Sequence, residues 1–147
     1  MNTSKFVYVT YIRTTPEDLW KALITPQFQK QYWFGASQSS DWTVGSAWEM
    51  RMPDGKLGDS GEILQSDPPH RLVIKWRVEH TEEMRAEGYL NVSFDLLAMG
   101  GSVKLTVVTD GFKPGSVIQP NMEEGWALLL SNLKTLLETG HPLELSV

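Results

Sequence analysis

The stretch NMEEGWALLLSNLKTLLE, residues 121–138, decides the fold. Its apolar residues recur at helical spacing, which predicts one amphipathic helix. Asn121 is the expected N-cap, and Gly140 followed by Pro142 is the usual order of residues after a helix end. This is the long apolar helix of the chain, so we expect it to cover the buried face of a sheet. Its apolar side comprises Met122, Trp126, Leu129, Leu130, Leu133, Leu136 and Leu137.

The chain upstream of this helix alternates between apolar and polar residues with a period of two. The clearest segments are 47–52, 71–80, 89–97 and 103–109. Such alternation predicts antiparallel strands with one buried and one solvated face. On the buried faces of these segments Thr109 is the one polar residue, and the others are Trp48, Met50, Met52, Leu72, Ile74, Trp76, Val78, Leu90, Val92, Phe94, Leu96, Val103, Leu105 and Val107.

The first forty residues predict a strand followed by two short helices. Residues 5–13 are β-branched and aromatic, as strands are. Thr15 is the expected N-cap of a helix with Pro16 at its first position, and Pro26 starts a second helix. The predicted fold is therefore α+β: a curved antiparallel sheet of about six to seven strands around a long C-terminal helix.

Composition narrows the function classes. The 147 residues are 41% hydrophobic and 21% charged, which predicts a single globular domain spanning 1–147. A net charge of −5 without a basic patch argues against nucleic-acid binding. Because there is no cysteine, disulfides and thiolate nucleophiles are excluded. No leader or membrane-spanning pattern is visible, so we expect a cytoplasmic protein.

Several short motifs together resemble a known superfamily. They are PEDLW at 16–20, TP at 25–26, DPPHRLV at 67–73, VKLTVV at 103–108, GF at 111–112 and GW at 125–126. Their order, over nearly the whole chain, resembles the SRPBCC or START-like superfamily, in the branch similar to the activator of heat-shock-protein-90 ATPase. The resemblance implies a helix-grip fold with an elongated apolar cavity for a lipid, sterol, polyketide or aromatic ligand. Members of this superfamily bind and carry ligands, cyclise or hydrolyse substrates, or bind a protein partner.

Catalytic residues are not predicted. Related proteins often carry a histidine just before the GF pair, where this chain has Thr109 and Asp110. His70, His80 and His141 occur in turn-like contexts without metal-ligand spacing, so no metal site is expected either. We interpret DSGE, residues 59–62, as a solvated loop. Polar groups near a cavity must then come from Tyr8, Thr10, Gln65 and the loop residues His80, Glu82 and Glu83, and we expect Tyr8, His80 and Glu83 to form its polar rim.

Gly125 raises the question of whether the interior is hollow. Glycine destabilises a helix interior by about 1 kcal/mol relative to alanine, yet this one lies beside the apolar stripe of the last helix. It either lets the helix approach the sheet or leaves room for a guest, although a packed core is the alternative interpretation. The predicted cavity lining is Trp48, Met50, Trp76, Phe94, Val107, Thr109, Met122, Gly125, Trp126 and Leu129.

Three functions are compatible with this sequence. The first is binding of an apolar small molecule between sheet and helix, without a cofactor. The second is a protein-interaction or co-chaperone-like module with a chaperone partner, or a stress-related regulator. The third is a cyclase or hydrolase, which the apolar inward faces disfavour. A homodimer through an edge strand or Trp42 is also open.

Overall fold

The computed structural model describes residues 4–145. Its strands are β1 (Ser4–Ile12), β2 (Ser37–Ser40), β3 (Ala47–Arg51), β4 (Leu57–Asp67), β5 (Arg71–Val78), β6 (Leu90–Met99) and β7 (Ser102–Phe112). Its helices are α1 (Pro16–Ile24), α2 (Pro26–Tyr32), α3 (Glu82–Ala86) and α4 (Ile118–Thr139). The predicted α+β order of strand, two short helices, strands and a long helix is confirmed.

The strands form one antiparallel sheet in the order β1-β7-β6-β5-β4-β3-β2. Strands β2 to β7 pair with their neighbours in sequence, whereas β1 joins the far edge by pairing with β7. Helix α4 packs near β1 and is tied to that end of the chain. The Glu138 carboxylate accepts a 2.8 Å hydrogen bond from the backbone N–H of Arg13, and Lys134 Nζ donates to the carbonyl of Tyr11 at 2.5 Å.

The inward faces of the strands follow the predicted alternation. Trp48, Val92, Val103, Leu105 and Val107 are all fully buried. The core also takes in α1 and the face of α4. Apolar burial on this scale is the main force that holds the helices on the sheet. In the described part of the chain, no helix is long and apolar enough to cross a membrane.

The start of α4 differs from the prediction. The helix begins at Ile118 rather than at Asn121, and its N-cap residue, Val117, has no capping side chain. The Glu87 carboxylate, in the loop after α3, replaces that cap by accepting hydrogen bonds from the backbone N–H groups of Val117 (2.8 Å) and Ile118 (3.3 Å). A carboxylate at this position also complements the helix dipole. The Ser116 hydroxyl donates to Glu87 and accepts a 3.0 Å hydrogen bond from the Gln119 N–H, so a local serine and a carboxylate distant in sequence cap the helix together.

Two further segments differ from the sequence prediction. Residues 82–86, expected to be loop, form α3, where the Thr81 hydroxyl accepts a 3.1 Å hydrogen bond from the backbone N–H of Met84. Residues 59–62, also expected to be loop, lie inside β4. Gly61 occurs there because β5 passes very close: a Cβ at this position would lie 1.6 Å from the carbonyl oxygen of Lys75.

Candidate ligand cavity

A cavity of about 370 Å³ lies between the inner face of the sheet and the first half of α4. The walls come from the α2–β2 connection, strands β3 to β5, α3 and α4. Its lining is Trp33, Phe34, Ala36, Met50, Met52, Asp59, Trp76, Val78, His80, Met84, Ile118, Asn121, Met122, Gly125, Trp126 and Leu129. Small-molecule sites have this order of volume and this mixture of many apolar residues with a few polar ones.

Three tryptophans form the rigid part of the wall. Trp33 and Trp76 have ring centroids 6.2 Å apart and are stacked. Trp126 meets both rings edge to face, at 5.8 Å from Trp33 and 5.9 Å from Trp76. Edge-to-face and stacked contacts of this kind are favourable beyond simple burial. The three rings therefore hold one another in place, although they come from a loop, a strand and a helix.

Hydrogen bonds fix two of these rings further. The Trp126 indole N–H donates to the Thr109 hydroxyl at 2.8 Å, and the Trp76 indole N–H donates to the Asp59 carboxylate at 2.6 Å. Both acceptors are buried. A buried indole needs such a partner because an unpaired N–H in an apolar interior is costly.

Gly125 faces open space on α4. A Cβ built on this glycine would meet no atom within 4 Å, and the residue lines the cavity. Close approach of the helix to the sheet is therefore not the reason for the glycine. Because glycine has no side chain, this position of α4 adds to the volume of the cavity.

Methionines and one aromatic residue surround the tryptophans. Met52, Met84 and Met122 are half-buried in the lining, and Met50 is buried. Their unbranched, polarisable side chains adapt to guests of different shape. Phe34 is 41% exposed and adopts a left-handed backbone conformation (φ 53°), which is unusual for a bulky residue. It contributes an exposed aromatic ring to the wall.

An acid–base pair also lines the cavity. Asp59 on β4 is 6% exposed, and its Oδ1 lies 3.6 Å from Nε2 of His80, which follows β5. The Asp59 carboxylate raises the pKa of His80 above its ordinary value, and burial partly opposes this shift. Next to it, burial would raise the pKa of Glu79, but hydrogen bonds from Ser60 and Arg77 lower that pKa overall. Glu79 is thus committed to structural partners, whereas Asp59 borders the cavity.

The structure brings together six of the ten residues predicted to line a cavity: Met50, Trp76, Met122, Gly125, Trp126 and Leu129. The other four are buried behind the wall. The Trp48 ring lies 4.3 Å from the Trp76 ring, and Phe94 meets Trp126 edge to face at 5.9 Å. Thr109 anchors the Trp126 indole, and Val107 is fully buried on β7.

The predicted polar rim is dispersed. His80 lines the cavity, but Tyr8 lies on β1, where its ring is 6.5 Å from the Phe6 ring, away from the cavity lining. Glu83 is exposed on α3 and is not part of the lining either. Among residues 4–145, no group of three or more histidine, aspartate or glutamate side chains is arranged to hold a metal ion.

Sequence reasoning missed Asp59, which is the acidic member of the lining. The sequence predicts a solvated loop for the DSGE segment because its paired acidic residues lie around what resembles a turn. The alternation of side chains along β4 would have identified Asp59 as inward-facing. Asp59, Gly61 and Ile63 lie on one face of this strand, and Gly61 pairs with the inward-facing Trp76. Trp33 and Phe34 were also missed as lining residues, because they follow a short helix and have no strand periodicity.

This combination of a seven-stranded sheet, a long helix and an apolar cavity between them defines the helix-grip fold. The model of the family "Activator of Hsp90 ATPase homolog 1-like protein" matches residues 13–138. The chain belongs to this family. A comparison with curated proteins found no match.

Solved structures with this fold cover nearly the whole chain. Protein MLL2253 from Mesorhizobium loti has a TM-score of 0.78 at 21% identity, over 91% of this chain and 96% of that one. The Aha1 dimer from Colwellia psychrerythraea has a TM-score of 0.76 at 19% identity, covering 93% and 98% of the two chains. PFC0360w, an Hsp90 activator from Plasmodium falciparum, has a TM-score of 0.75 at 20% identity, covering 94% and 97%. At such identities the likeness concerns the fold.

Proposed function

We propose that the protein binds an apolar small molecule, such as a lipid, a polyketide or an aromatic compound, between the sheet and α4. The observation that carries the proposal is Gly125, which opens space on the helix where a Cβ would meet no atom within 4 Å. That space adjoins Trp126 and the adaptable Met122 in a cavity of about 370 Å³. Burial of an apolar guest there is favourable by about 25 cal/mol per Å² removed from water.

In this proposal the ligand lies against the cavity residues and needs no cofactor. Met50, Trp76 and Leu129 would contact its body from the sheet and the helix. Trp48, Phe94, Val107 and Thr109 would act from behind by holding the contacting rings in position. A rigid aromatic wall combined with flexible methionines suits a protein that accepts several related guests.

The test is a pair of leucine substitutions on the same helix. Gly125→Leu fills the cavity, whereas Ser131→Leu adds the same side chain on the exposed side of α4. We expect Gly125→Leu to weaken binding of the neutral fluorescent probe N-phenyl-1-naphthylamine about tenfold or more, and Ser131→Leu to leave it unchanged. A panel of lipids, flavonoids and polyketides that displaces the probe then identifies the ligand class. Equal probe affinity in the Gly125→Leu variant and the parent would contradict the proposal.

A second candidate is a co-chaperone-like role with a chaperone partner, in a monomer or a homodimer. It is favoured by the name of the family and by the Plasmodium falciparum structure, which is described as an Hsp90 activator. The experiment is an ATPase assay of Hsp90 with and without this protein, combined with a measurement of mass in solution. Stimulation of the ATPase supports the second candidate, and an unchanged rate argues against it.

A further inference from the structure

The carboxylate of Asp59 is incompletely paired. An ionised carboxylate offers about four acceptor positions, and Asp59 is 6% exposed. One oxygen accepts a 2.6 Å hydrogen bond from the Trp76 indole, while the other lies 3.6 Å from His80 Nε2, beyond good hydrogen-bond distance. Because Asp59 lines the cavity, a donor that enters the cavity can reach the acceptor positions that Trp76 leaves open, and a charged donor binds a carboxylate most strongly.

The remainder of the cavity wall favours a positive group over a negative one. Three tryptophans line it, and tryptophan is the aromatic side chain that attracts cations most strongly. Within residues 4–145, no lysine or arginine belongs to the lining. Lys56 lies in a neighbouring groove, and Arg77 and Arg85 pair with Glu79. An anionic ligand would therefore find a single counter-charge, on protonated His80.

From this arrangement we propose that the ligand carries a protonated amine that pairs with Asp59, while its apolar body lies against Trp33, Trp76 and Trp126. The inference rests on the proposed function and deepens it by naming the polar end of the guest. An ammonium group supplies both the charge and the hydrogen-bond donors that the buried carboxylate lacks, and hydrogen bonds between charged groups are the stronger kind.

His80 competes with such a ligand for Asp59. When the imidazole is protonated it neutralises the carboxylate, and when it is neutral the carboxylate is left to the amine. The other charged groups around His80 are Lys56 and Asp54, which border the same groove, and Glu79, which is paired with Arg77 and Arg85. Because the Asp59 carboxylate raises the pKa of His80 above 6.5, the competition falls off as the pH rises through that higher pKa. Alkylamines remain protonated there, as lysine does with a pKa of about 10.4.

The experiment uses three probes with one apolar body: 4-phenylbutylamine, 4-phenylbutanol and 4-phenylbutyric acid. Their affinities are measured by titration calorimetry with the intact protein at pH 6.0 and pH 8.5. At pH 8.5 we expect the amine to bind about tenfold or more tightly than the alcohol, and the acid to bind most weakly. From pH 6.0 to 8.5 the affinity for the amine should rise and that for the acid should fall, while that for the alcohol stays constant.

Asp59→Asn is the matching variant, because its amide oxygen still accepts the Trp76 indole N–H while the charge is gone. We expect it to remove the preference for the amine, so that the amine and the alcohol bind the variant with similar affinity. Asp67→Asn, an exposed carboxylate on the same strand, is the control and should behave like the parent.

The outcomes separate the two levels of inference. If the alcohol binds and the parent shows no preference for the amine at pH 8.5, the amine assignment is overturned and apolar binding stands. If the parent prefers the acid to the alcohol, the amine assignment is likewise overturned and apolar binding stands. If none of the three probes binds, the proposed function and the amine assignment fail together. The pH series in the parent protein needs no variant, so misfolding of Asp59→Asn leaves the test intact.

Discussion

The hydroxyl of Thr109 on β7 accepts a 2.8 Å hydrogen bond from the indole N–H of Trp126 on α4. Both residues are buried, at 0% and 3% exposure. This bond joins the long helix to the sheet at a buried polar contact, whereas the hydrogen bonds from α4 to β1, such as that of Lys134 to the Tyr11 carbonyl, are exposed. It also fixes the ring that forms part of the cavity wall, so one threonine serves both folding and the shape of the site.

Thr109→Val tests that bond directly. Valine has nearly the same shape but no acceptor, so the buried Trp126 N–H loses its partner. We expect the free energy of unfolding to fall by about 1–3 kcal/mol, measured by urea denaturation followed by circular dichroism. Thr106→Val, on the opposite face of the same strand, is the control and should change stability by less than about 0.5 kcal/mol. A Thr109→Val variant as stable as its control would show that the bond contributes nothing.

Gly125 and Gly61 should respond oppositely to alanine. At Gly125 the added methyl group meets nothing within 4 Å, so Gly125→Ala should stabilise the protein by up to about 1 kcal/mol through helix propensity. At Gly61 the Cβ would lie 1.6 Å from the Lys75 carbonyl oxygen, so β4 and β5 must separate. We expect Gly61→Ala to destabilise strongly, by about 3 kcal/mol or more. Thermal unfolding of both variants is the measurement, and a stable Gly61→Ala variant would contradict the close approach of the two strands.

The Glu87 cap predicts a stability effect across two elements. Glu87→Ala removes the acceptor for the Val117 and Ile118 N–H groups at the start of α4. The expected loss is about 1–2 kcal/mol, as for other N-terminal caps. Glu83→Ala, an exposed carboxylate on the neighbouring α3, is the matched control. The stabilities of the two variants are compared by chemical denaturation. Equal denaturation midpoints for Glu87→Ala and Glu83→Ala would rule out capping by Glu87.

The Asp59–His80 pair predicts a pH-dependent contribution to stability. The Asp59 carboxylate, 3.6 Å away, raises the pKa of folded His80 above its unfolded value of 6.5. The stabilisation by protonated His80 is therefore fully present below about pH 6.5 and is lost as the pH rises through the folded pKa. Relative to the parent, His80→Gln should lower the melting temperature at pH 5.5 more than at pH 8.5. The control is His70→Gln at the exposed β4–β5 corner, and a pH-independent effect of His80→Gln would refute the linkage.

The strands and long helix could be predicted because their side-chain periodicity reflects burial directly. Trp76, Val92 and Leu105 alternate with polar neighbours, and each is buried. Asp59 escaped prediction because Gly58 and Gly61 make its strand resemble a turn. The second of these glycines is required by the closeness of β5, which is a tertiary contact that local sequence does not encode.

The cavity itself was only half predictable. The apolar faces of the strands and of α4 identify which residues point inward. Whether the two faces are in contact or enclose a cavity depends on the distance between the sheet and the helix, which the pattern does not give. Gly125 was the local sign of a space, since a glycine at a helix position facing the core has a reason other than helix stability. The Glu87 cap had no such sign, because Glu87 and Val117 are brought together by the sheet.

The position of β1 at the far edge of the sheet has a consequence for biosynthesis. The pairing of β2 to β7 joins successive strands, so these strands can assemble as they leave the ribosome. Strand β1 is made first but pairs with β7, Ile12 with Val103 and Ser4 with Phe112. Its apolar residues must wait for almost the entire sheet to be synthesised, and closing so large a loop is slow relative to forming local hairpins. Until β7 has been made, the core-facing Phe6, Tyr8 and Ile12 of β1 therefore have no sheet to pack against and need protection from solvent.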